Sequence, residues 1–573
     1  MLFLQAILLS SLLNNPLTEV PKARDTFIPP VKIPLLLSAN FGELRMDHFH
    51  SGIDIKTQGV TGKEIIATAS GYVYRIGVSP GGFGKALYLR HTSGYSTVYA
   101  HLDRFSAEID EYVKNQQYAR KSFNVTLFPP KEKFEVKQGD IIAFSGNSGS
   151  SGGPHLHYEI RRSESEIPVN PLLFEFGLND NISPVIEKLV IYPLGKHTTV
   201  NGKKSARTIN TSGTGGSYFM PADKELKISG PAGFGIKTYD LLNESYNKCA
   251  PYSIELRIDS ILLYKYVMDE FSFSESRYIN SHIDYETYMK ERIHIQKTFV
   301  SPNDKLSAYK KVSNRGIFNF NDSKIHHVEI LLTDVHSNKS SLTFKVKSEV
   351  QGAEEESKAP IEDLMAMPYN KTNKFRAEGL LLSIPARAFY DTLFFSYKKE
   401  SGRPGMLSDV HHIHNKFTPV HKPYSISVKP SRIPAGKESK MLLVQLSDDL
   451  KKSALSSTFS DGYVTANALS FGKFFVGIDT LAPLISPNGL VNGADLTSRK
   501  EIKIKITDEL SGIKDYEPVI DGEWALFEYD QKNNVIIYRF DPQRITKGTK
   551  HKLTLKVTDN KDNQSFYNCE FTW

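Results

Sequence analysis

His155-Leu156-His157-Tyr158-Glu159-Ile160 alternates polar and apolar side chains without a break. A period of two marks a strand with one buried face, because successive side chains point to opposite sides. His155, His157 and Glu159 therefore share one face, and Leu156, Tyr158 and Ile160 share the other. The apolar face calls for a core beneath it and leaves two imidazoles together on the opposite side. The loop Gly146-Asn147-Ser148-Gly149-Ser150-Ser151-Gly152-Gly153-Pro154 leads into this strand. Its exposed backbone N–H and C=O groups suit pairing with an extended chain, and a plain strand connection is the competing reading.

Upstream the text stays dense in short strands. Glu64-Ile65-Ile66-Ala67-Thr68-Ala69 is followed by Ser70-Gly71 and Tyr72-Val73-Tyr74-Arg75-Ile76. The turn Pro80-Gly81-Gly82-Phe83-Gly84 leads into Lys85 to Arg90, and Gly94 opens a strand running to His101. Strands separated by glycine turns predict an antiparallel sheet. Residues 106–137 interrupt it: Ser106 to Arg120 is polar with helical spacing through Ile109, Tyr112 and Val113, and the chain is expected back in the sheet near Val136.

Beyond Ile182 the character changes. Asp180-Asn181-Ile182-Ser183-Pro184-Val185-Ile186 begins like Asp479-Thr480-Leu481-Ala482-Pro483-Leu484-Ile485. Val328 to Asp334 followed by Asn338 ends like Leu553 to Asp559 followed by Asn563. We read a degenerate repeat of a β-sandwich module resembling immunoglobulin-like or fibronectin-like domains. The chain is thus expected to be mainly β: an antiparallel β-sheet domain at 31–178, then two or three β-sandwich domains at 179–348, 373–478 and 479–573, with a linker at 349–372. The 573 residues exceed what one core organises.

A net charge of +7 with acids and bases interspersed gives no reason to expect nucleic acid. Two cysteines, Cys249 and Cys569, exclude a disulfide framework and a cysteine-rich zinc site, and both are expected as buried thiols. Leu2 to Leu13 is apolar, too short to span a membrane comfortably and similar to the core of a signal peptide, although no lysine or arginine precedes Lys22. Residues 1–30 are therefore expected to be a signal or N-terminal segment, and no other stretch reads as a membrane span.

Two histidines on one strand face are a common way to present nitrogen to zinc. A carboxylate such as Asp54, in His50-Ser51-Gly52-Ile53-Asp54, completes a His-His-Asp set with one position open to water, the arrangement of a catalytic metal. A lone His-x-His pair is weak evidence, and His411-His412-Ile413-His414, with no carboxylate motif beside it, reads as strand or loop surface. No His-Glu-x-x-His helix is present, so histidine is the plausible proton handler.

Four pieces in order carry a resemblance: His50-Ser51-Gly52-Ile53-Asp54-Ile55, Gly94 to Leu102, Gly139-Asp140-Ile141-Ile142-Ala143, and Ser151 to Arg161. Over about Phe41 to Arg161 the chain resembles the lysostaphin- and LytM-type peptidoglycan metalloendopeptidases, peptidase family M23. The resemblance implies one Zn2+ held by His50, Asp54 and His157, with His101 and His155 as non-ligand histidines beside the reacting carbonyl. It implies hydrolysis of stem-peptide or cross-link bonds in peptidoglycan by an exported protein of the bacterial envelope or periplasm, Gram-negative favoured. Base and acid are not assigned between His101 and His155. Glu159 is placed to orient a histidine or to pair with a neighbouring arginine. Tyr95 and Tyr99 read as groove or core, and His48 and His91 match no functional position. The insertion 106–137 is expected to shade the groove. The alternative is a non-catalytic envelope scaffold that binds or activates other wall hydrolases; envelope proteins are the partners expected for the β-sandwich domains.

Overall fold

The computed structural model describes residues 27–221, 225–350 and 365–573. Leu2 to Leu13, with most of the expected N-terminal segment, lies outside the described residues. The end of that segment belongs to the first domain: Phe27 is buried against His91, Tyr95 and Phe174.

The first domain is an antiparallel sheet of β1 (Leu37–Ala39), β2 (Ile53–Lys56), β3 (Glu64–Ile66), β4 (Gly71–Val78), β5 (Lys85–His91), β6 (Tyr95–Phe105), β7 (Val125–Leu127), β8 (Glu135–Val136), β9 (Ile141–Ser145), β10 (His155–Arg162) and β11 (Pro168–Val169). Its path runs β1-β2-β10-β6-β5-β4-β7, with β9 joining β3 and β6. The alternation in β10 sorts its faces: Leu156, Tyr158 and Ile160 are fully buried in the main core. Tyr95 and Tyr99 join that core, so neither lines a groove. Tyr99 keeps its hydroxyl satisfied on Thr68 and Thr97. Within the insertion, α1 (Ala107–Arg120) buries Ile109, Val113 and Gln117, while β7 and β8 both pair with β4.

The second domain, from Val185 to Ser348, packs its strands around one core. That core includes Phe41 and Phe49, which precede His50 in the first domain and are 2% and 1% exposed. The segment carrying His50 is therefore built into the second domain. The third domain pairs two five-stranded sheets and adds a two-stranded one, and the fourth pairs a four-stranded with a five-stranded sheet. The expected linker ends earlier than residue 372, because Met365–Met367 pairs with Leu393–Phe395 in the third domain. His411 is buried and bonded to the Tyr397 hydroxyl, which corrects its reading as surface; its neighbour His412 pairs with Glu400.

The repeat read from the sequence recurs as hydrogen bonds. Asn338 Nδ2 donates to Asp334 and to the Asp180 carbonyl, and Asn563 Nδ2 donates to Asp559 and to the Asp479 carbonyl. Ser340 and Ser565 likewise donate to the carbonyls of Pro184 and Pro483. Both cysteines are free and buried.

The chain closes on itself. Arg277 donates to the carbonyls of Val420 and Leu469 in the third domain, and Lys561 in the fourth donates to Ser457 O. The fourth domain returns to the first through Lys85–Glu528, Lys114–Asp541 and the edge contact of Tyr118 with Trp524. No helix among the described residues is long and apolar enough to cross a membrane.

Candidate functional site

Register builds the centre. In β10 His157 lies opposite Asp54 of β2 on one side and Ala100 of β6 on the other. Directly opposed residues in antiparallel strands carry side chains on the same face about 5 Å apart. His50 joins from the loop before β2. His50 Nε2, Asp54 Oδ1 and His157 Nδ1 lie 2.9–3.0 Å from one another, and all three residues are buried.

Each ring is oriented from its other nitrogen. His50 Nδ1 donates to Asn40 O at 2.8 Å, which frees Nε2 as a ligand atom. Asn40 is itself pinned from the second domain, its amide donating to Ala250 O and accepting from Ala250 N. His157 Nε2 donates to Glu159 Oε1 at 2.9 Å, so Nδ1 faces the centre. Glu159 fulfils both roles read for it: Oε1 takes His157 and Ser51, and Oε2 takes Arg161 Nε. Arg45 donates to Asp54 Oδ2 at 3.3 Å, steadying the carboxylate.

Electrostatics follow from this crowding. Burial disfavours charge on Asp54, but the neighbouring imidazoles of His50, His155 and His157 outweigh it and hold the carboxyl well below its usual range. Burial lowers His50 against the pull of Asp54. For His157 burial is overcome by hydrogen bonds to Asp54 and Glu159, which raise it to about 9. Burial lifts Glu43, beside Arg45 and Asp54, to about 7. Three donor atoms this close need a proton or a cation between them. Zinc bonds of about 2.0–2.1 Å in tetrahedral geometry put ligands roughly 3.3 Å apart, so this set of two nitrogens and one oxygen fits such an ion.

His101 reaches the same face by a different route. Strand alternation from Ala100 would turn it into the core. Its backbone takes φ 60°, and the register of β6 shifts just beyond it. This puts Leu102 back on the core face beside Tyr99 and leaves the imidazole at the centre, 4.8 Å from the His155 ring. His101 Nδ1 donates to Ser148 O at 3.0 Å, and His155 Nδ1 to Gly153 O at 2.8 Å. Both keep Nε2 free for chemistry; His155 Nε2 stands 3.6 Å from Asp54 Oδ1, outside the three-ligand contact. Burial, with His157 and His155 alongside, takes His101 down to about 3.

Phe83, read only as part of a glycine turn, stacks on His157 with centroids 5.1 Å apart. The loops 80–84 and 146–153 interlock: a Cβ on Gly84 would fall 2.5 Å from Gly149 N, and both glycines have positive φ. On the outer side of this rim Lys532 of the fourth domain donates to Ser151 O at 3.0 Å and to Asn147 O. The element seated beside the loop is thus the turn 531–534, whereas α1 of the insertion faces the fourth domain through Lys114 and Tyr118. His48 is exposed on Met46 O, and His91 is a buried structural residue bonded to Ser70 O and Thr97.

The first domain is thus an antiparallel sheet presenting a His-Asp-His triad able to hold a metal ion, with two further histidines beside it. Residues 48–125 and 125–171, within the first domain, match the model of Peptidase family M23. Residues 364–479 match a Zu5-like domain, bounding the third domain. An uncharacterized metalloprotease of Haemophilus influenzae is 37% identical over 123 residues, 22% of this chain and 20% of that protein. The DD-carboxypeptidase/endopeptidase Mpg of Neisseria meningitidis is 34% identical over 123 residues, 22% of each chain. The murein hydrolase activator NlpD of Escherichia coli is 34% identical over 125 residues, 22% of this chain and 26% of that one. The chain thus spans about a fifth to a quarter of the length of these relatives. Among solved structures, a catalytic-domain mutant of the M23 protein EnpA from Enterococcus faecalis shows 27% identity, covering 25% of this chain and 95% of that one at a TM-score of 0.19. The lysostaphin catalytic domain of Staphylococcus simulans shows 23%, covering 24% and 90% at 0.18.

Proposed function

We propose that this protein is a zinc-dependent metalloendopeptidase that cuts peptide bonds in the stem peptides or cross-links of peptidoglycan. The observation that carries the reading is the convergence of His50, Asp54 and His157 with the free Nε2 atoms of His101 and His155 on the same face. When bound, zinc supplies Lewis acidity that polarises the scissile carbonyl and makes water acidic enough to attack at neutral pH. The protein's own part is positional. His101 and His155, each fixed through Nδ1, hold Nε2 where a proton can be taken from water and returned to the leaving amine. When protonated, either also stabilises negative charge on the carbonyl oxygen. The loops 80–84 and 146–153 offer backbone groups to an extended peptide. The relatives named as a DD-carboxypeptidase/endopeptidase and a murein hydrolase activator support a peptidoglycan substrate and an envelope location.

The activator relative also favours a second reading, an envelope scaffold that stimulates other hydrolases. The complete set of ligands and histidines supports catalysis over it. The test uses the full chain, loaded with zinc, on purified peptidoglycans of different cross-link chemistry, with mass analysis of fragments. Cleavage abolished by chelator is expected. His157→Ala loses both metal and activity; His155→Ala keeps zinc and loses roughly two orders of magnitude in turnover. Absence of fragments from every peptidoglycan by the zinc-loaded chain would overturn the catalytic reading.

A further inference from the structure

The junction between the first and second domains holds a second cluster of ligand-type groups that the peptidase centre does not use. One ligand atom from each of Asp180, Asp334 and His336 lies within 4.8 Å of the others. Asp180 belongs to the segment leaving the first domain, while Asp334 and His336 lie in the closing turn of the second. The Asp180 side chain is 0% exposed, and its Oδ2 faces His336 Nδ1 at 3.9 Å without a hydrogen-bond partner. His336 Nε2 donates to Leu178 O at 3.1 Å. In the neutral ring the proton is thereby on Nε2, and Nδ1 turns a lone pair toward the carboxylate. An acceptor faces an acceptor.

A further carboxylate deepens the imbalance. Asp240 is 3% exposed, and its Oδ1 is also buried without a partner. Burial, then the charges of Asp334 and Asp180, push it up to about 8. The carboxyls of Asp180 and Asp334 lie within hydrogen-bond reach of each other, and burial, their repulsion and that contact raise Asp334. Asp334 takes two hydrogen bonds from Asn338, which orient it without neutralising it. Among the described residues, the basic group within 4 Å of these acids is His336. Unpaired buried carboxylates are expensive, and a cation removes the penalty.

The equivalent acids of the fourth domain, Asp479, Asp508 and Asp559, show the contrast. There Asp479 and Asp559 accept backbone or amide N–H on both oxygens, and Lys561 stands close by. That cluster is satisfied as it is.

We propose that Asp180 and Asp334, with His336 beside them and the buried Asp240 as a neighbouring negative charge, form a binding site for an oxygen-preferring divalent cation of the calcium class, joining the exit of the first domain to the second domain. Carboxylate oxygens at the ends of separate strands are the donors such ions take. The site lies at a joint that matters: Asp240 pairs with Cys249, next to the Ala250 that holds Asn40 and through it His50.

The experiment uses the full chain, stripped with chelator and reloaded with one equivalent of zinc. Calcium chloride is titrated calorimetrically, and thermal unfolding is followed with and without 1 mM free calcium, a concentration of the order extracellular modules require. At least one calcium is expected in the parent, with a raised unfolding temperature, and one fewer in Asp180→Asn and in Asp240→Asn. Asp240→Asn also separates a site from a merely structural acid. Measured at pH 9, where the parent's Asp240 is charged, it unfolds without calcium at a higher temperature than the parent, because repulsion is relieved; with calcium it loses the parent's gain. No calcium uptake by the parent, uptake of zinc alone at this cluster, or equal calcium stoichiometry in both variants would overturn the proposal.

Discussion

Glu159 couples the proposed metal centre to the stability of the first domain, and removing it separates the two. In Glu159→Ala, His157 Nε2 loses its acceptor at 2.9 Å, and Arg161 Nε loses its partner at 2.5 Å. Carboxylates that orient a metal-bound histidine are worth roughly 10–100-fold in metal affinity, or about 1.4–2.7 kcal/mol. Arg161, with its side chain 6% exposed, keeps Glu166 at 3.2 Å and the face of Phe273. Breaking a buried ion pair costs about 3–5 kcal/mol, and the surviving contact places this one near 3 kcal/mol. For a domain of this size that lowers the unfolding temperature by about 10 °C. Zinc affinity would be measured by competition with a chromophoric chelator, and unfolding in excess chelator so that metal does not mask the loss. The double variant Glu159→Ala/Arg161→Met removes the stranded charge. It should regain most of the unfolding temperature and none of the zinc affinity. Parental zinc binding by either variant would refute the role assigned to Glu159.

Three further outcomes follow from particular contacts. Asn40→Ala removes both bonds to Ala250; with the loop less firmly held, turnover should fall about tenfold or more while zinc stoichiometry stays at one, as read in peptide-release assays and metal analysis. A chain cut to residues 27–178 exposes Phe41 and Phe49, whose burial is worth about 1.5–3 kcal/mol each; it should aggregate or lose cleavage where a chain cut to 27–350 keeps both, as gel filtration and peptidoglycan digestion will show. His282 is buried beneath Tyr266, and burial lowers it to about 4 from an ordinary value near 6.5. The folded state favours the neutral ring, so this contribution is complete above pH 6.5 and is lost as pH falls from there through 4, by about 3 kcal/mol in total. His282→Gln should flatten that part of the acid dependence in thermal scans from pH 7.5 to 4.5; an unchanged slope would show that another group carries it.

The alternation of residues 155–160 was enough to assign a strand, its buried face and its polar face, because a strand's period is a local property. Four motifs in order were enough to name His50, Asp54, His101, His155 and His157, and two short echoes marked the repeated modules. Much else was not legible. His101 faces the centre through a positive φ at a non-glycine position, a choice made by the β6 bulge and the Phe83 carbonyl that receives its N–H. Phe83 stacks on His157 from a loop whose sequence spells only a turn. His50 is set by Asn40, and Asn40 by Ala250, 210 positions away. The fourth domain returns to Asn147 and Ser151 through Lys532, and Asp180 meets Asp334 and His336 across a domain joint. The division has a physical reason. Periodicity and motif spacing record the forces between near neighbours along the chain. Which distant surfaces bury one another is decided by packing, where each contact gains its value from the others already formed. The sequence alone therefore determined the sheet and singled out the five residues that meet on its polar face. Only the tertiary structure decided what holds those residues in place.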